Sequence, residues 1–120
     1  MGARINYVFK ANMEQPYLVL YSHWGETTWH SDLAAALESA RGRWSDPSYA
    51  LRIIIDQLTK DSRDSETGHG IFLANAEDLS FLDYPIIVDL QAWWVQDESG
   101  EHSWQDFISY HGQKTLSEQV

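Results

Sequence analysis

The chain has 120 residues, 43% apolar and 22% charged, with no cysteine and a formal net charge of −10. That length and balance suit one folded domain, and the lack of cysteine excludes disulfides and thiolate metal sites. No apolar run approaches the roughly 20 residues of a membrane span, and Met1-Gly-Ala-Arg-Ile-Asn lacks the layout of a signal peptide, so a cytoplasmic, membrane-free protein is the expectation.

Residues 4–10 alternate Ile5, Tyr7 and Phe9 with Asn6, Val8 and Lys10, a strand with one face more apolar than the other. Tyr17-Leu-Val-Leu-Tyr21 is apolar throughout and reads as a strand covered on both faces. Trp29, Leu33, Ala36, Leu37 and Ala40 then form a helical stripe, with Thr27 or Thr28 as cap and Gly42 as stop. Asp46-Pro47 opens a second helix. Its stripe of Leu51, Ile54, Ile55 and Leu58 is widened by Ala50 and Ile53, which predicts a well-buried helix.

Residues 61–70 read as a polar loop and Ile71–Ala74 as a short strand. Ala76–Tyr84 is expected to be a turn with Leu79 and Phe81 tucked beneath it. Pro85–Leu90 is a strand with its proline at the start, and Ala92–Gln96 pairs back on it. After a turn at 97–100, Ser103 caps a short last helix with Trp104, Phe107, Ile108 and His111 on one face and Gly112 at its end. The order β-β-α-α-β-β-(β)-α has no βαβ alternation. It predicts an α+β fold: an antiparallel or mixed sheet of four to five strands, two central helices on one face and a short C-terminal helix. Residues 1–112 form the single domain, and 113–120 a frayed tail.

Charge is unevenly spread. Residues 1–60 balance six acids with six bases, whereas residues 61–120 hold twelve acids against Arg63 and Lys114. A field of that sign repels nucleic acid and anionic membrane and draws basic surfaces in. Asp83, Asp89, Asp97, Glu98, Glu101 and Asp106 surround Trp93-Trp94, and tryptophan is a frequent interface anchor. These eight residues are the expected partner-binding face, opposed to a basic surface on another protein. Neighbours on a strand point to opposite sides, so one of Trp93 and Trp94 is expected outside.

Two groupings could instead carry metal chemistry. His23, Glu26 and His30 hold possible ligands, but His-x-x-Glu-x-x-x-His is not the spacing of a zinc helix; Gly25 and the threonines of that stretch read more simply as a strand-to-helix turn. Asp61, Asp64, Glu66 and His69 resemble the donors of metal-assisted hydrolysis, yet the same residues read as a solvated loop. No nucleophile elbow or phosphate loop is present. No cofactor or catalytic residue is therefore assigned, a metal-dependent hydrolase being the alternative. A further alternative is a self-assembling accessory protein, marked by an apolar patch related by two-fold symmetry.

Tyr21-Ser-His-Trp-Gly-Glu-Thr-Thr-Trp29, Arg43-Trp-Ser-Asp-Pro-Ser-Tyr-Ala50 and Glu66-Thr-Gly-His-Gly-Ile-Phe72 together resemble a family of small, uncharacterised acidic proteins encoded in bacteriophage and prophage genomes. The resemblance runs from about Arg4 to Tyr110. It implies a protein of the host cytoplasm that binds host machinery, as an anti-CRISPR or other counter-defence inhibitor does, and it brings no catalytic residue with it.

Overall fold

The computed structural model describes residues 4–11, 15–23, 28–62 and 64–119, with side chains to position 111. Strands β1 (Ile5–Lys10) and β2 (Tyr17–Ser22) pair antiparallel, as their short connection requires. Helix α1 (Trp29–Ser39) and α2 (Pro47–Thr59) follow. Strand β3 (His69–Ala74) then adds to the free side of β2. β4 (Pro85–Asp89) pairs parallel with β1, and β5 (Trp94–Asp97) and β6 (Gly100–Ser103) extend the sheet before helix α3 (Trp104–Gln119). The result is a six-stranded mixed sheet in the order β3-β2-β1-β4-β5-β6.

One face carries the main core. Ile5, Tyr7, Phe9, Leu20, Ile86, Val88 and Val95 project from the sheet towards Trp29, Leu33, Leu37, Ile54, Trp104 and Phe107 of the three helices. α1 lies in the middle and packs against both α2 and α3. On the opposite face Val8, Tyr17, Val19 and Ala74 form a smaller cluster, capped by Leu79 from the 3-10 segment Ala76–Phe81 and by Leu82 just after it. β1 is thus buried on both sides, and even Asn6 is enclosed, its side-chain amide donating to the Asp83 carbonyl.

Several expectations change. Gly100–Ser103 is a sixth strand rather than turn and cap; Ser103 closes the strand and still caps α3 by accepting from the Asp106 N–H. The strand expected at Ala92–Gln96 begins at Trp94, because Ala92 and Trp93 belong to the β4–β5 turn and Trp93 has φ of 60°. α2 buries Ala50 and Ile54, but Leu51, Ile53, Ile55 and Leu58 are half-buried. It flanks α1, so its outer side meets solvent. Phe81 is 83% exposed rather than tucked under the turn, while Leu79 packs inward. The last helix does not end at Gly112 but continues to Gln119. Asp46 caps α2 as expected, accepting from Tyr49 N–H with Pro47 in the first turn. Thr28 precedes α1 without a side-chain cap and donates to Asp32 instead.

Candidate functional site

Strand direction sorts the side chains. β1 and β4 start at one end of the sheet, where β2 and β5 finish and where β3 and β6 begin. Call this the Ile5 end. Tyr84, just before β4, meets Trp29 at the start of α1 there, with ring centroids 6.5 Å apart. α3 runs back towards the same end and brings His111 to His30, 4.8 Å between rings.

A pocket of about 410 Å³ opens between α1, α3 and the β5–β6 hairpin. His30, His102 and His111 line it from three different elements, together with Asp97, Asp106, Phe107 and Tyr110. The rings form a connected wall: His111 stands 4.5 Å from Phe107 and 4.8 Å from Tyr110, and His30 stands 3.8 Å from Trp29. Asp97 shares the helix-side face of β5 with Val95, which turns its carboxylate inward, leaving the side chain 7% exposed. It accepts from both the N–H and the Oγ of Ser99, at 2.9 and 2.6 Å, and lies 3.9 Å from His102 Nε2.

Ser99, His102 and Asp97 are the residue types of a hydrolytic triad but not its geometry. The serine Oγ and the carboxylate both meet the same imidazole nitrogen, and the serine proton is directed to Asp97. A triad needs the base between its two partners, one on each nitrogen.

A second pocket of about 470 Å³ lies beside β2 and β3, lined by Tyr21, His23, Glu66, Thr67, His69 and adjacent glycines. Tyr21 Oη contacts His23 Nδ1 at 2.7 Å, and Ser62 Oγ contacts His69 Nδ1. Burial lowers the pKa of His69, with Asp32 opposing the shift. All five histidines of the chain therefore line one of these two pockets.

This grouping replaces both metal sets. His23 and His30 line different pockets, and Glu26 lies outside the described residues. Glu66 and His69 share a pocket that Asp61 and Asp64 do not line. Among the described residues, no three His, Asp or Glu side chains are placed to hold a metal ion.

The expected acidic, tryptophan-bearing face is also divided. β5 runs about 10 Å from Trp94 to Asp97, so it carries its two ends apart. At the Ile5 end are Asp83, 3.6 Å from Arg4; Asp97; and Glu98, which accepts from Tyr84 Oη at 3.1 Å. Glu101 is exposed on β6, opposite Gln96, and Asp106 is exposed on the pocket rim. At the other end are Asp89, Trp93 and Trp94. Asp89 is buried, not presented: its Oδ1 accepts from Gln91 and Ala92 N–H and closes the β4–β5 turn. Trp93 is 41% exposed, but its indole N–H donates to the Trp44 carbonyl and its ring lies 6.0 Å from that of Trp44. Trp94 is half-buried on the sheet face away from the helices.

The meeting of His30, His102 and His111 was not legible from spacing, because three elements contribute one histidine each. The one signal was His111 on the apolar stripe of α3, facing inward. Comparison with protein-family models, curated proteins and solved structures finds no match, so the chemistry of the site rests on its own geometry.

Proposed function

We propose that this is a binding protein that docks the Ile5 end of its sheet on a basic surface of another protein. The observation that carries this reading is the pocket whose rim holds the exposed Asp106 and whose inner wall holds the largely enclosed Asp97, lined also by the rings of Phe107, Tyr110 and His111. Carboxylates beside aromatic faces suit an inserted lysine or arginine: the charge is met by the acids and the cation sits against a ring quadrupole. Glu98 and Glu101 extend the negative field outside the pocket. The tryptophan end has no part in this contact, which narrows the expected eight-residue face to Asp83, Asp97, Glu98, Glu101 and Asp106. Counter-defence inhibition, the role implied by the resemblance to phage proteins, is one form of such docking, with carboxylates standing where nucleic-acid phosphates would bind.

The test is titration of a short lysine- and arginine-bearing peptide into the wild type and into Asp106→Lys. Binding should weaken about tenfold in the variant, about 1.4 kcal/mol, and should fall as salt screens the charges. Equal affinity for both proteins, or affinity indifferent to salt, contradicts the proposal.

A further inference from the structure

The two edges of the sheet are built differently. β6 is four residues long, carries Glu101 and His102, and leads straight into α3. Brevity and charge of this kind protect an edge against pairing with another chain. β3 has six residues, His69-Gly-Ile-Phe-Leu-Ala74, with no Asp, Glu, Lys, Arg or Pro. Ile71, Phe72 and Leu73 are 58%, 40% and 64% exposed. Among the described residues nothing pairs with the outer side of this strand.

The direction of its free backbone groups follows from one hydrogen bond. His23 N–H donates to the Gly68 carbonyl at 2.9 Å, and these residues extend the β2–β3 register one step beyond Ser22 and His69. Hydrogen-bonded and non-hydrogen-bonded pairs alternate along an antiparallel ladder. Gly70, Phe72 and Ala74 therefore bond to β2, while the N–H and C=O groups of Ile71 and Leu73 point outward.

We propose that a second copy of this chain pairs along β3, antiparallel, about a two-fold axis at Phe72, and joins the two sheets into one. In this register Ile71 faces Leu73 of the second copy, and their outward groups complete a hydrogen-bonded pair on each side of the axis. Phe72 faces its own symmetry mate in a non-hydrogen-bonded pair. The Ile71–Leu73 contacts lie on the helix side and the Phe72 contact on the other, so both faces gain apolar cross-strand pairs. Such an interface is isologous and closes on itself. The register selects a copy as the occupant, because the same exposed apolar residues complement one another about the axis. The molecule carries −10, yet the strand carries none, so no like charges meet across the paired residues and a basic partner finds no counter-charge there.

Sedimentation of the wild type across roughly 10 µM to 1 mM should show a monomer–dimer equilibrium. It should shift towards dimer as salt screens the repulsion between two acidic molecules, and Leu73→Lys should abolish it. The native chain has no cysteine, so a single introduced thiol reports the register. The Cα separation of a non-hydrogen-bonded pair, about 4.5 Å, lies within disulfide range. Phe72→Cys should oxidise to a covalent dimer at least roughly tenfold faster than Ile71→Cys, whose thiols are offset from each other. A wild type that stays monomeric, a dimer indifferent to Leu73→Lys, or equal cross-linking from both positions overturns the proposal.

Discussion

At the scale of single residues, the same side-chain chemistry takes opposite roles according to what the backbone offers nearby. Asp89 was one of six acids in a run that looked like surface. It is instead 8% exposed and satisfies two turn N–H groups. Asp89→Ala leaves those donors without their acceptor and is expected to cost about 1–3 kcal/mol, measured by urea unfolding, with no effect on peptide binding. His69 gives a pH signature. Burial holds its pKa below the ordinary imidazole value, against the pull of Asp32. The folded state then binds fewer protons than the unfolded chain. This stabilisation is present above pH of about 6.5 and is lost as pH falls through the lowered folded-state value. The wild type should lose more stability than His69→Gln between pH 7.5 and 5.5; parallel pH slopes for the two proteins contradict that assignment.

At the scale of elements, periodicity located the helices and five of the six strands, missed β6, and read depth less well. The apolar alternation of β1 and the stripe of α1 correspond to buried residues, because those elements sit at the middle of their layers, whereas the run of β2, expected to be covered on both faces, leaves Leu18 and Tyr21 half-buried. Ile71-Phe-Leu was read as a strand too, but nothing in a short apolar run states whether neighbours cover it, and here it forms an edge. α2 shows the same limit: its wide stripe reads as full burial, yet an outer helix buries part of it. Truncations should separate these depths. Ile54→Ala removes a fully buried side chain and should cost about 2–5 kcal/mol. Ile53→Ala, at a half-buried position, should cost about 1 kcal/mol. Equal losses in thermal or urea unfolding would mean that α2 is buried all round.

At the scale of the molecule, chain reversal decides which charges and rings act together. Trp93 and Glu98 are close in sequence, but β5 separates them along its length, while His30 and His102 are far apart in sequence and share a pocket. Net charge was legible in composition; its grouping depended on six strand directions that composition does not contain. The two contacts proposed here also respond oppositely to salt. Docking of the acidic end on a basic partner weakens as charge is screened, whereas pairing of two acidic copies along β3 strengthens. The most direct measurement on the central claim is residue-resolved NMR during titration with the lysine- and arginine-bearing peptide, at low and high salt. Shifts concentrated at Ser99, His102, Asp106 and Tyr110, lost at high salt and in Asp106→Lys, are the expected result. Shifts centred on Trp44 and Trp93, or spread evenly over the surface, contradict a binding pocket at the Ile5 end.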